Sequence, residues 1–245
     1  MGAQVDTGQR DGVRYFSVNG GRFQHASQEG EEGAVRRDWE LQTGETGTKW
    51  EIPYKYLEGI LQNVEFEDAK FGEQVMITLV DGDETMVARV NSDSRFFSDL
   101  AKKLPNIDLT QPVKLAPYDF ISKKKGVGYG KSVKGMTVTQ DDEKIYSYYY
   151  DIDKKETING LPDVSEEERA DYDKDDWKIF FMQERKFLKK AVQAIQFPEV
   201  ENSSEGGAPA SKKETVADEP PAKEKSAKKA TIKEPVSDDS DDLPF

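Results

Sequence analysis

One short segment of the chain combines positive charge with an aromatic ring. Residues 121–135 (ISKKKGVGYGKSVKG) contain five lysines and no acidic residue, and Tyr129 lies there between two glycines. Ammonium groups bind phosphates, and a flat ring stacks on a nucleic-acid base with ~1–3 kcal/mol per base. The segment therefore predicts a basic loop with a stacking residue.

The same mixture of charge and rings recurs on segments that alternate like strands. Alternate residues of a half-buried strand face solvent, so Trp39 and Arg37 can share an exposed face, as can Tyr15 and Ser17. A small barrel also needs large rings in its core, so each ring can equally be a core residue. The candidate nucleic-acid-binding residues are Arg14, Tyr15, Arg22, Arg37, Trp39, Trp50, Tyr118, Lys123, Lys124, Lys125, Tyr129, Lys131 and Lys134.

The segment GVGYGKS (126–132) invites comparison with the phosphate-binding loop of nucleotide hydrolases. That loop needs four residues between its two glycines. Counted back from Gly130, the position of the first glycine is 125, and this chain has Lys125 there. The residues that follow are strand-like, so no helix N-terminus faces a phosphate. A nucleotide hydrolase is therefore excluded.

The sequence shows no clear set of catalytic or metal-ligating residues. The chain has no cysteine and a single histidine, His25, which lies within an alternating strand. The adjacent aspartate pairs fall in turns or in the C-terminal tail, where they are solvated. We expect a protein that is not an enzyme and that needs no metal or cofactor.

Composition divides the chain into two parts. Charged residues make up 34% and the mean hydropathy is −0.81, which is too polar for a chain that is folded throughout. The last 47 residues, 199–245, contain no aromatic residue before Phe245 and consist mainly of Ala, Pro, Ser, Glu and Lys. We expect a folded domain over 1–198, a disordered linker over 199–236 and an acidic tip over 237–245.

The folded part reads as a series of short strands interrupted once by a helix. Strands are predicted at 13–18, 21–27, 36–42, 48–54, 60–68, 73–81, 84–91, 111–123, 132–140 and 144–152, with a helix over 92–106. An acidic insertion (about 151–176), in which Ser165 and Glu168 can form a capping box, precedes an amphipathic C-terminal helix (about 176–196). Three strands, a helix and two strands match an OB-fold, so the predicted fold is mainly β, an OB-fold-like Greek-key barrel with added strands and helices. Other Greek-key barrels would give a similar order of strands and helices.

The chain ends in an acidic block followed by a hydrophobic residue. Asp238, Asp239, Asp241 and Asp242 precede Leu243, Pro244 and Phe245. A terminal Phe ring can fill a small apolar pocket while its carboxylate meets a basic residue at the rim. The aspartates would raise the rate of encounter with a basic partner.

The ending D-D-L-P-F resembles the C-terminal peptide of bacterial and phage single-stranded-DNA-binding proteins, with Leu243 at the place of an isoleucine. The resemblance implies an OB-fold, a long linker and a tip that docks on replication, recombination and repair proteins. It covers only these last residues. The longer barrel region and the Lys/Ala/Glu-rich linker are closer to a bacteriophage protein of this type than to the bacterial tetramer, so a monomer or dimer is expected.

The expected function is sequence-independent binding of single-stranded DNA in a bacterial cytoplasm, with recruitment of partner enzymes through the tip. No run of about 18 apolar residues exists, so no membrane span is expected. The alternative is an acidic interaction protein or DNA mimic that captures host replication proteins without binding DNA. Residues 1–198 hold 36 acidic and 28 basic residues, and this net charge of −8 favours the alternative, whereas the basic segment favours the first.

Overall fold

A computed structural model describes residues 12–40, 44–70, 72–123 and 130–198. Ten strands form one sheet, and two more form a small separate hairpin, so the protein is mainly β, as predicted. The strands are β1 (Val13–Asn19), β2 (Arg22–Ser27), β3 (Val35–Glu40), β4 (Thr46–Tyr54), β5 (Leu57–Ala69), β6 (Gly72–Asp81), β7 (Glu84–Asn91), β8 (Pro112–Ile121), β9 (Ser132–Gln140), β10 (Glu143–Lys144), β11 (Tyr150–Asp151) and β12 (Glu156–Thr157). The helices are α1 (Arg95–Ala101), α2 (Glu166–Asp171) and α3 (Lys174–Gln193), with a 3₁₀ turn at Leu104–Asn106.

The centre of the sheet has the connectivity of the predicted barrel. Strands β5, β6 and β7 form an antiparallel meander, α1 follows, and β8 and β9 form a second antiparallel pair. The long first strand, β5, pairs with β6 along most of its length and with β8 at its start. In the full sheet the order is β10-β9-β8-β5-β6-β7-β1-β2-β4-β3.

The β1–β2 hairpin bends this sheet back on itself. Strand β1 pairs with β7 in parallel, and β1 and β2 are joined by Gly20 and Gly21, both with positive φ. A Cβ added at Gly21 would lie 2.4 Å from the backbone nitrogen of Asp119 in β8. Only glycine fits this approach, which brings the hairpin turn against β8 and gives the sheet a barrel-like curvature.

The core lies between the inner faces of these strands and two helices. Phe16 and Phe23 reach it from the β1–β2 hairpin, Phe97 and Leu100 from α1, and Leu188 from α3. Burying an aliphatic or aromatic side chain of this size contributes about 1.5–3 kcal/mol relative to exposure. The hairpin is therefore part of the same core as the five central strands.

The C-terminal helices begin with well-formed caps. Ser165 and Glu168 form the predicted capping box of α2, and Asp173 with Asp176 forms a second, unpredicted one at α3. Helix α3 buries Trp177, Leu188 and Val192. None of the helices in the described part of the chain is both long enough and apolar enough to cross a membrane.

One strand prediction, 144–152, is wrong for most of its length. Only two short strands form here, β10 (Glu143–Lys144) and β11 (Tyr150–Asp151). The residues between them cross the end of α1. The Tyr148 N–H donates to the Lys102 carbonyl oxygen at 2.8 Å, and the Asn159 side chain donates to the Tyr148 carbonyl oxygen at 2.6 Å. These bonds satisfy both polar backbone groups of Tyr148, and Tyr149 is buried against Phe187, so contacts with the helices take the place of strand pairing at these two residues.

Candidate nucleic-acid interface

One side of the sheet gathers most of the predicted contact residues from the first half of the chain. We call the outer face the side of β6, β7, β1, β2, β4 and β3 that residue alternation turns away from the core. Strand register places four predicted residues on this face, Tyr15, Arg22, Arg37 and Trp39, and adds Lys49 and Arg89. Continuous pairing from β7 to β3 therefore makes the predicted residues parts of one surface.

The charge on the outer face is opposite to that of the whole chain. On these six strands the outward-facing cations are Arg22, Arg37, Lys49 and Arg89, and the one outward-facing acid is Glu51. Glu51 is itself buried. A locally positive surface on a chain of net charge −13 can attract a polyanion, because the local field decides the encounter.

Tyr15 is held on the outer face by a neighbouring cation. The guanidinium carbon of Arg89 lies 4.6 Å from the centroid of the Tyr15 ring. This contact fixes the ring orientation and leaves Arg89 exposed at the edge of the pair. The pair places side by side the two kinds of group that bind single-stranded nucleic acid, a ring that can stack on a base and a cation that can contact a phosphate.

Trp39 lies flat across its cross-strand partner, Gly47. A Cβ at residue 47 would stand 2.4 Å from Cζ2 of the indole, so the absence of a side chain there creates the seat for the ring. Trp39 is half-buried, with one face of the indole on the strand. Its position two residues from Arg37 on the same side of β3 brings a ring and a cation together.

Arg37 and Lys49 converge on Glu51. Arg37 Nε lies 3.2 Å from Glu51 Oε2, and Lys49 Nζ lies 2.7 Å from Glu51 Oε1. Both cations keep part of their surface in solvent, whereas only 8% of the Glu51 side chain is exposed. The carboxylate therefore lies beneath a pair of outward-facing cations.

Two predicted residues, Arg14 and Trp50, lie on the opposite side of these strands. Arg14 Nη1 contacts Glu84 Oε1 at 2.6 Å, its Nη2 donates to the Tyr54 hydroxyl, and its guanidinium covers the Phe16 and Tyr54 rings. Trp50 pairs with Arg36 across β3 and β4. The geometry gives Arg14 a packing role, and places neither residue with the outer-face group.

The base of the β8–β9 hairpin carries the rest of the described candidates. Lys123 is exposed, and Lys134 lies 3.9 Å from Asp119. The strands are joined beyond their ends by hydrogen bonds from Ser122 N to Lys131 O and from Gly130 N to Ser122 O, both 2.9 Å. Phe120 and Ile121 are more than half exposed beside these lysines. Three predicted residues of the hairpin, Lys124, Lys125 and Tyr129, lie outside the described residues.

Tyr118 belongs to the structural framework of this hairpin. Its ring lies against Gly135, and its hydroxyl donates to Asp99 Oδ2 at 3.2 Å. Burial, followed by the nearby Asp99 carboxylate, raises the pKa of Tyr118 to about 12. The centroids of the Tyr118 and Phe120 rings are 5.8 Å apart. Tyr118 therefore packs against the exposed Phe120.

The hairpin base and the outer face approach each other at one corner of the sheet. The β1–β2 turn that packs on Tyr118 and Asp119 is followed directly by Arg22. Arg22 is exposed. Arg22 therefore lies between the outer face and the base of the β8–β9 hairpin.

The described part of the chain does not gather metal-ligating side chains, and the one histidine of the sequence is used in packing. No group of three or more metal-ligating side chains occurs among those residues. His25 packs against Phe16, and its Nδ1 lies 2.9 Å from the Tyr15 carbonyl oxygen. The predicted partner-binding residues Asp238, Asp239, Asp241, Asp242, Leu243, Pro244 and Phe245, like the predicted linker, lie outside the described residues.

Three residues of this surface were absent from the predicted set. Arg89 and Lys49 follow strand alternation, and alternation alone would have found them had every outward-facing cation been included. Glu51 has no such signal, because its burial depends on pairing between β3 and β4. Comparisons with protein-family models, with curated proteins and with solved structures returned no match.

Proposed function

We propose that the protein binds single-stranded DNA without sequence preference, on the outer face and the adjoining β8–β9 hairpin. One observation carries the proposal: the outer face holds Arg22, Arg37, Lys49 and Arg89 with the rings of Tyr15 and Trp39, against a single buried acid. Cations follow the phosphates and rings stack on bases, and neither contact depends on base identity. Exposed Phe120 extends the stacking surface onto the hairpin.

We further propose that the protein acts without catalytic turnover in replication, recombination and repair, as a phage-type single-stranded-DNA-binding protein. The C-terminal tip would recruit partner enzymes while the sheet holds the strand. The support is the sequence of the tip, in which Phe245 follows four aspartates and Pro244 limits the unbound conformations.

A titration with oligo-dT at two salt concentrations tests the binding proposal. We expect quenching of tryptophan fluorescence and an affinity that falls with salt. Trp39 lies on the outer face and Trp50 on the other, so Trp39→Phe should remove most of the quenching and Trp50→Phe should leave it. An affinity that is absent in dilute buffer would overturn the proposal.

A pair of arginine variants tests which face is used. Arg22→Gln should weaken binding and reduce the slope of log K against log salt by about 0.7, the change for one phosphate contact on a single strand. Arg36→Gln is the matched control, because Arg36 lies on the opposite side of β3 and pairs with Asp38 at 3.1 Å. Equal effects of the two variants would argue against the outer face.

A second candidate function is an acidic interaction protein that does not bind DNA. It is favoured by α2 and the start of α3, where Glu166, Glu167, Asp175 and Asp176 are exposed. Ile179 and Met182 are 49% and 58% exposed on α3, which adds an apolar element to this acidic surface. The same titration distinguishes the two functions, since this one predicts neither quenching nor salt-dependent affinity.

A further inference from the structure

Glu51 is a buried carboxylate on a surface that otherwise presents cations. Its side chain is 8% exposed, between Arg37 and Lys49. Burying a carboxylate is unfavourable unless charges and hydrogen bonds compensate for the lost water. Glu51 Oε2 is buried and receives no hydrogen bond of normal geometry from the described residues, although Arg37 Nε lies 3.2 Å away. Charge compensation therefore comes from two ion pairs, and one carboxylate oxygen lacks a hydrogen bond of normal geometry among the described residues.

The two cations that hold Glu51 are suited to an anionic oxygen that comes from outside. A guanidinium and an ammonium that converge on one carboxylate can bind a phosphate oxygen in the same way. Arg37 and Lys49 are 32% and 45% exposed, so both can be reached from solvent. Trp39 lies on the same side of β3, next along the face, with its indole seated on Gly47. A base on Trp39 would bring its phosphate towards this pair.

We propose that Arg37 and Lys49 form a phosphodiester subsite that the Glu51 carboxylate occupies in the free protein. Glu51 is an internal competitor: a DNA phosphate must take over the two cations from it, and this exchange lowers the affinity of the outer face. The inference rests on the proposed binding of single-stranded DNA. Because of Glu51, the affinity of the outer face for single-stranded DNA is lower than its cations alone would give.

Neutralising Glu51 without changing its shape tests the competition. Glu51→Gln should bind oligo-dT about tenfold more tightly than the wild type at 50 mM NaCl, and the slope of log K against log salt should steepen by about 0.7 to 1.4, for one or two released contacts. Glu40→Gln is the control, because Glu40 is exposed on the opposite side of β3 and its substitution removes the same formal charge without freeing this cation pair. An Arg37→Gln substitution should weaken the Glu51→Gln variant far more than it weakens the wild type.

A second variant covers the case in which glutamine at residue 51 impairs folding. Glu51→Asp keeps the charge and withdraws the carboxylate by one methylene group, so it should raise the affinity by a smaller factor. If the wild type binds oligo-dT and both variants bind as Glu40→Gln does, Glu51 has only a structural role and the inference is overturned. If neither the wild type nor the variants bind, the proposed function itself fails.

Discussion

The Asp99 carboxylate accepts a hydrogen bond from the backbone N–H of Met136 at 2.8 Å. Lys103, one turn later, pairs with Asp99 at 2.8 Å and donates to the Met136 carbonyl oxygen at 2.6 Å. Strand β10 pairs with β9 only at Thr139 and Gln140, so both polar groups of the Met136 backbone are satisfied by the α1 region in place of a further strand. The two side chains thereby hold the helix against β9.

We expect Asp99→Ala to lower the free energy of unfolding by about 2–4 kcal/mol. The substitution leaves the Met136 N–H and the Tyr118 hydroxyl without their acceptor and Lys103 without its counter-ion, and Lys103 is only 8% exposed. Urea denaturation measures the change. Asp93→Ala is the control, because Asp93 is exposed and its Arg185 partner is 3.9 Å away, so it should change stability by less than about 0.5 kcal/mol. Similar losses for both would show that the link to Met136 is unimportant.

The raised pKa of Tyr118 predicts a loss of stability in alkali. In the unfolded chain the phenol has its ordinary pKa of 10, and in the folded protein its pKa is raised to about 12. Between these values the unfolded state has released a proton that the folded state still holds. Stability is therefore at its full value below pH 10 and falls as pH rises towards 12.

Tyr118→Phe isolates this effect, since phenylalanine keeps the ring over Gly135 and removes the titrating group. Urea midpoints measured at pH 9, 10 and 11 should fall less steeply for the variant than for the wild type. At pH 8 the variant should be less stable, because the hydrogen bond to Asp99 is lost. Parallel pH dependences for the two proteins would contradict the assignment.

The two glycines of the β1–β2 turn should respond differently to alanine. Both have positive φ, +55° for Gly20 and +68° for Gly21, so each substitution is disfavoured by about 1–2 kcal/mol of backbone strain. Only at Gly21 does the new Cβ also meet a neighbour, 2.4 Å from Asp119 N, whereas nothing lies within 4 Å at Gly20. Thermal unfolding should therefore place Gly21→Ala well below Gly20→Ala. Equal melting temperatures would mean that the turn does not pack on β8 in solution.

The order of strands and helix in the centre of the fold could be predicted because its signals are local. Alternation marks β6 and β7, Asp81, Gly82 and Asp83 mark the turn between them, and Ser94 caps α1 by accepting a hydrogen bond from Phe97 N. The Asn19-Gly20 signal found the β1–β2 hairpin, although the two-residue loop is Gly20-Gly21, one residue later. These features depend on residues close together in the sequence.

The features that could not be predicted depend on long-range pairing. The parallel contact of β1 with β7 joins residues about 70 positions apart, and no periodicity specifies it. Only this pairing, continued through β2 and β4, puts Tyr15 beside Arg89 and Trp39 on the same surface. Tyrosines 146, 148, 149 and 150 have high strand propensity, but burial of Tyr149 against Phe187 decides the path of that segment.

Removing the acidic tip should strengthen binding of DNA at low salt. The aspartates at 238, 239, 241 and 242 are tethered to the folded domain and can compete with phosphates for Arg22, Arg89 and the lysines of the β8–β9 hairpin. Deletion of residues 237–245 should therefore lower the Kd for oligo-dT several-fold at 50 mM NaCl. The difference should largely vanish near 0.5 M NaCl, because at that ionic strength charges interact over only about 4 Å before they are screened.

Phe245→Ala separates charge from the hydrophobic end of the tip. It keeps all four aspartates, so its affinity for oligo-dT should equal that of the wild type, while replacement of the four aspartates by asparagine should reproduce the deletion. Fluorescence titrations of the four proteins at both salt concentrations give the comparison. If the protein without residues 237–245 binds oligo-dT like the wild type at 50 mM NaCl, the tip does not compete with DNA for the outer face. Glu51 would then be the one carboxylate for which competition is still proposed.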